Sequence, residues 1–122
     1  MNASTEFFEP TTYITRDCLV VPINQELSIK NALHIQRLLL QEVAIKKPVG
    51  AIIDLSGVCI VDSALWQVFY QTAKMIQTQG YACVFAGLSP AVVVAIIELD
   101  VNTENVNFAL QLESALEMLV NK

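Results

Sequence analysis

Apolar residues along the chain switch between two periods, and the switches mark the elements. Thr12-Tyr13-Ile14-Thr15 and Cys18-Leu19-Val20-Val21-Pro22-Ile23 are rich in β-formers, with Arg16-Asp17 between them as a turn signal. From Ile29 to Val43 the period becomes helical: Ile29, Ala32, Leu33, Gln36, Leu39, Leu40 and Val43 recur on one side. Ser28 stands where an N-cap belongs, and Lys46-Lys47-Pro48 closes the helix with cations favoured by the dipole. Gly50-Ala51-Ile52-Ile53-Asp54-Leu55 then reads as a buried strand, and Ser63 to about Gln79 as an amphipathic helix with Gly80 as its C′ glycine. Tyr81-Ala82-Cys83-Val84-Phe85-Ala86 is nearly continuous in apolar character, as a strand covered on both faces requires.

Two later segments are less plain. Val92-Val93-Val94-Ala95-Ile96-Ile97 is β-branched and compatible with a strand. The Ser89-Pro90 opening and the Glu98-Leu99-Asp100 continuation predict a helix instead. Asn105-Val106-Asn107-Phe108 is a short last strand, and Leu112, Ala115, Leu116 and Leu119 mark a terminal helix with Glu113 and Glu117 outward. Strands alternating with helices predict an α/β sandwich with a largely parallel or mixed sheet. The expected organisation is an N-terminal arm over residues 1–12, carrying the Phe7-Phe8 pair, and one domain over 13–122.

At about 100° per residue, the Ser63 helix places Leu65, Val68, Phe69, Thr72 and Ile76 on one arc, which is its core face. Ser63, Gln67, Tyr70 and Lys74 fall on the opposite arc, and Trp66 borders it. The expectation is an outward Trp66–Tyr70 pair beside the serine, of the kind found at protein interfaces. The alternative is that Trp66 covers a neighbouring loop of its own chain. Val92–Ile97 poses a similar choice: apolar all round, it either faces another chain or is covered by the sheet and the last helix.

Composition narrows the function. Of 122 residues, 54% are hydrophobic and only 16% charged, which points to apolar area buried against other chains. The net charge of −5 and the lack of any basic run longer than Lys46-Lys47 argue against nucleic acid and anionic membrane as partners. The longest apolar run, Ala91 to Ile97, is too short to span a bilayer, and the N-terminus has no basic segment followed by an apolar one. Cys18, Cys59 and Cys83 are far apart, with no CxxC and a single histidine, so no standard metal cage is expected. Buried free thiols in a reducing cytosol are the expectation.

Enzyme chemistry finds little support. A Ser/His/Asp triad would have to use His34, which falls in mid-helix, away from any loop at a strand end. There is no G-x-S-x-G elbow, and four glycines cannot make a nucleotide cradle. Cys59 has no adjacent cation to lower its pKa. What stands out is Val61-Asp62-Ser63-Ala64, between a buried strand and an amphipathic helix. Asp62 can cap the helix, a small residue after a cap needs no function, and Asp54 can brace the same loop.

The segment Ile53-Asp54-Leu55-Ser56-Gly57-Val58-Cys59-Ile60-Val61-Asp62-Ser63 resembles the signature of STAS domains, the anti-sigma factor antagonist fold. Ala86-Gly87-Leu88-Ser89-Pro90-Ala91-Val92, Ile97-Glu98-Leu99 and Phe108-Ala109-Leu110-Gln111-Leu112-Glu113 extend the resemblance to the stressosome branch, nearest to its short scaffold made of a STAS domain alone. On its 122 residues, the expectation is a chain without the sensor domain of RsbR-type paralogues.

The resemblance implies a non-enzymatic, cofactor-free regulator in which Ser63 is phosphorylated by an RsbT-type switch kinase and reset by a serine phosphatase. It implies a homo- or hetero-oligomer that includes RsbR-type paralogues. The second phosphorylated threonine of those paralogues falls at about Ala95, which has no hydroxyl, so one switch remains. The expected partner-binding residues are Asp62, Trp66, Gln67, Tyr70 and Lys74, with Asp54 and Ser56 supporting the loop. The alternative within the family is an anti-anti-sigma factor that binds an anti-sigma kinase directly. A STAS piece of a transporter is a further alternative; the expectation is that no membrane segment precedes this domain.

Overall fold

The structure, a computed structural model, describes residues 10–23, 27–58 and 61–121. Most of the expected N-terminal arm, including Phe7-Phe8, and Cys59 lie outside the described residues. The element order is β1 (Tyr13–Thr15), β2 (Cys18–Pro22), α1 (Ile29–Lys46), β3 (Gly50–Asp54), α2 (Ser63–Thr78), β4 (Ala82–Ala86), α3 (Pro90–Leu99), β5 (Asn107–Ala109) and α4 (Leu112–Val120). The strands lie in sequence order, β1 antiparallel to β2 and the others parallel. This is the expected mixed α/β sheet, with a helix in each parallel crossover.

Local chemistry sets the boundaries. Arg16 and Asp17 join β1 to β2 with φ of 50° and 63°, the left-handed geometry that a tight hairpin needs. Ser28 caps α1 by accepting from the Asn31 N–H, and Ser89 caps α3 by accepting from the Val92 N–H. Pro90 at the first turn of α3 settles the β-branched run as helix. Gly80 follows α2 with φ of +97°, which ends the helix as the glycine suggested.

Strand alternation divides the core. Leu19, Val21, Ala51, Ile53, Cys83 and Phe85 face the layer containing α1 and α2. Cys18, Val20, Ile52 and Val84 face the opposite way, onto Ala115, Leu116 and Leu119 of α4. In the thicker layer, α1 packs along α2, and the buried Gln36 amide donates to Thr72 Oγ1 at 3.0 Å. Thr72 in turn donates to the Val68 carbonyl at 2.8 Å, so this polar pair is satisfied and fixes how the two helices meet.

One sequence expectation changes here, and one open choice narrows. The outward placement of Trp66 is overturned: its indole is 1% exposed. It lies against Phe85 and Phe108, with centroids 4.9 and 5.9 Å away. The border position on the helical projection resolves inward because the indole buries a large apolar area and its N–H reaches the Asn102 carbonyl at 2.9 Å. Trp66 covers a loop of its own chain. The last helix does not cover Val92–Ile97, since α4 packs on the far face of the sheet, while Val92 and Ile96 pack on the core. Of α3 only Val92 is fully buried, and Val94 and Ile97 are 51% and 71% exposed.

Cys18 and Cys83 are free and buried, as expected. Burial pushes the Cys83 thiol up to about 12. In the native protein at pH 8, alkylation of Cys83 should therefore be slower than in denaturant by orders of magnitude, read by mass mapping. Rapid native labelling would show that β4 is not held in the core.

Candidate functional site

The ends of β3 and β4 and the start of α2 form one edge of the domain. After Asp54 the chain turns sharply: Leu55 N–H bonds the Ala86 carbonyl at 2.8 Å, and Val58 N–H bonds the Leu55 carbonyl at 2.9 Å. Asp54 braces this turn. Its Oδ1 accepts from the Ser56 N–H at 3.0 Å and the Ser56 hydroxyl at 2.8 Å. The β4 end approaches so closely that a Cβ on Gly87 would lie 2.6 Å from Asp54 Oδ1 and 2.9 Å from Ser56 N, and Gly87 has φ of +72°. Only glycine suits that position on both counts. Asp54 and Ser56, the residues expected to support the loop, are joined by these two bonds. The closure by Gly87 was missed in the sequence, although a glycine directly after an apolar strand marks such a close approach.

Asp54 has a second neighbour. Tyr13 on β1 has its phenol pKa raised, by burial first and by the Asp54 carboxylate second.

At the start of α2, Asp62 is the N-cap. It has extended backbone, its Oδ1 accepts from the Leu65 N–H at 2.7 Å, and its carbonyl accepts from the Trp66 N–H at 3.0 Å. Val61 before it is buried and anchors the loop; Ser63 and Ala64 after it are exposed. Ser63 therefore occupies the first helical position, in the partial positive field of the helix N-terminus. Among the described residues its hydroxyl forms no hydrogen bond; Asp62 Oδ1 is bonded to Leu65 and Asp54 Oδ1 to Ser56. His34 is exposed on α1, consistent with its mid-helix position.

The open face of α2 continues with Gln67 and Gln71, both exposed, and the half-buried Lys74. Of the five expected partner-binding residues, Asp62, Gln67, Tyr70 and Lys74 reach the surface around Ser63, and Trp66 does not. Tyr70 is half-buried; its hydroxyl donates to the Glu104 carbonyl at 3.1 Å, and Lys74 Nζ stands 6.0 Å from its ring centroid. Gln77 Nε2 donates to the Asn105 carbonyl at 2.9 Å. With Trp66 bonded to Asn102, one edge of α2 thus holds the α3–β5 loop by three backbone carbonyls. Sequence reasoning missed this arrangement because its acceptors are main-chain atoms, which no residue type announces. Among the described residues, no group of acidic, histidine and cysteine side chains could hold a metal, and no helix is long and apolar enough to cross a membrane.

Comparison with known proteins fits this geometry. The RsbS protein of Moorella thermoacetica, in a serine-to-glutamate variant, superposes with a TM-score of 0.79 at 24% identity, over 93% of this chain and 97% of that one. A chain from the molecular architecture of the stressosome, described as a signal integration and transduction hub, gives 0.75 at 23% identity, over 91% and 96%. The anti-sigma factor antagonist SpoIIAA in its unphosphorylated form gives 0.64 at 12%, over 90% and 96%. At these identities the likeness is one of fold. No sequence among the curated proteins matches. A family model described as the STAS domain matches residues 9–115, and the chain belongs to that family.

Proposed function

We propose that this STAS domain is a non-enzymatic cytoplasmic regulator of the RsbS kind, which holds an RsbT-type switch kinase and releases it when Ser63 is phosphorylated. The observation that carries the reading is the placement of Ser63. It is exposed, it is the first residue of α2, and it directly follows a capping aspartate at the loop edge of the sheet. A kinase can reach the hydroxyl, and a partner docked on α2 would cover it. The fold likeness to RsbS and to a stressosome chain supports assembly with RsbR-type paralogues. A serine phosphatase would reset the switch.

The energetics suit a binding switch. A phosphate brings about −1.5 to −2 charge, taking the chain from −5 to nearly −7. The helix N-terminus favours that charge by about 0.3–1 kcal/mol. Repulsion from Asp62, for a charge about 6 Å away in a high effective dielectric, is on the order of 1–3 kcal/mol before salt screening. A balance of that size leaves a domain with this buried core folded. At an interface that packs the neutral serine against a partner, a loss of about 3 kcal/mol is more than a hundredfold in affinity.

With the partner kinase and ATP, intact mass should show one added phosphate, mapped to Ser63. Ser63→Ala should keep the fold and the bound kinase and take up none. Stoichiometric phosphorylation of the alanine variant would place the switch elsewhere. Ser63→Asp should weaken kinase binding, by less than the phosphate does because it carries less charge. Unchanged affinity would contradict the electrostatic account.

A second reading draws support from the likeness to SpoIIAA: an anti-anti-sigma factor that binds an anti-sigma kinase directly. Size-exclusion of this protein mixed with an RsbR-type paralogue separates the two. The scaffold reading predicts a large co-assembly, whereas separate elution of small species supports the direct antagonist.

A further inference from the structure

The sheet ends on one side at β1, whose outer edge is unpaired among the described residues. Tyr13-Ile14-Thr15 holds no proline or charge of the kind that ordinarily blunts such an edge, and Tyr13 and Ile14 are both exposed. β1 runs against β2, so Tyr13 lies at the Val20 end and Thr15 at the Cys18 end, beside the Arg16-Asp17 turn. Ile14 pairs with Leu19 and therefore faces the α1 layer. There it forms one wall of an open groove of about 470 Å³, lined otherwise by Asp17, Lys46, Lys47, Pro48 and Val49. The Val49 N–H bonds the Asp17 carbonyl at 2.8 Å, which ties the two rims together, and the Val49 side chain is exposed. Lys46 is bridged to Glu42 at 2.7 Å; among the described residues Lys47 has no ion pair. The two lysines outweigh Asp17, so the groove is a cationic, partly apolar spot on a chain of net charge −5.

We propose that two copies of this chain pair through β1, and that Glu6-Phe7-Phe8-Glu9 of each copy seats in the groove of the other. Residues 1–9 lie outside the described residues and lead into Pro10, just before the free edge. Their chemistry complements the groove: two aromatic rings between two carboxylates, with no lysine or arginine in 1–9. A two-fold axis sets β1 antiparallel to its own copy. The chain before Tyr13 of one copy then runs past the Arg16-Asp17 turn of the other, where the groove lies. Phe8 is five residues from Tyr13, about 17 Å of extended chain, whereas Tyr13 to Asp17 is four, about 13 Å. The arm is therefore long enough, and when extended it puts Phe8 on the same side of the sheet as Ile14. The arm's own groove is the poorer target, because β1 begins at the end away from it and the chain would have to reverse before Tyr13. Pairing over three residues is too short to hold two domains, and the aromatic pair supplies the anchor that such an interface needs. This pairing uses neither Ser63 nor α2 and stands whether or not a kinase binds.

The test uses the whole chain. Sedimentation over a range of concentrations should show a monomer–dimer equilibrium. Phe7→Ser combined with Phe8→Ser should weaken it by about tenfold or more, with the fold unchanged by circular dichroism. Ile14→Lys, at the exposed edge, should do the same. Lys47→Glu should weaken the dimer, and adding Glu9→Lys to it should restore part of the loss. Carbodiimide crosslinking of an equal mixture of isotope-labelled and unlabelled protein should join Glu6 or Glu9 to Lys46 or Lys47 in peptides of mixed label. Crosslinks confined to peptides of one label place the arm in its own groove and overturn the inference. So does a protein that stays monomeric at every concentration, or a dimer that the Phe7/Phe8 and Ile14 variants leave intact.

Discussion

The packing of Trp66 between α2 and the sheet is the contact on which the rest of the site depends. Its ring meets Phe85 of β4 and Phe108 of β5, and its N–H is consumed by the Asn102 carbonyl. That contact fixes the rotation of α2 about its own axis. With Trp66, Phe69 and Ile76 turned inward, the 100° step leaves Ser63, Gln67 and Gln71 no place except outside. Truncating such a ring to alanine ordinarily costs about 3–5 kcal/mol, a large share of the stability of a domain this size. The orientation of the serine is thus set by the core, and the loop preceding it only has to stop the chain at the right point.

The stopping is done by short polar contacts. Asp54 holds Ser56, Gly87 lets β4 close over that turn, and Asp62 starts the helix by bonding Leu65. Asp62 has two roles. It stabilises the helix start through its cap, and it holds a negative charge beside the position where a phosphate would arrive. The N-terminal dipole alone would welcome an anion there. With a carboxylate already in place, added charge is tolerated by the fold and opposed at an interface.

Much of this could be read in the sequence, for physical reasons. The elements of the described residues follow from switches between periods 2 and 3.6, and Ser28, Ser89-Pro90 and Gly80 state their ends in residue types that few other positions need. The α3 segment is instructive. Its β-branched run suggests a strand, and the Ser-Pro cap decides otherwise, because capping chemistry is local while β propensity depends on neighbours. Trp66 was harder to place. A residue on the border of a helical arc is assigned by whatever lies opposite it, here Phe108 and the Asn102 carbonyl, both more than 30 residues away. The resemblance to STAS domains was legible in the Asp54–Ser63 stretch and agrees with the family match. The latch on the α3–β5 loop was not legible, since carbonyl acceptors carry no sequence signature.

The central claim is that one charge at Ser63 separates kinase-bound from kinase-free protein. The most direct measurement compares the affinity of the switch kinase for unmodified protein and for protein phosphorylated stoichiometrically at Ser63, under conditions where both are shown to be folded. The account predicts that phosphorylation weakens binding by about a hundredfold or more. Equal or tighter binding of the phosphorylated form would contradict it.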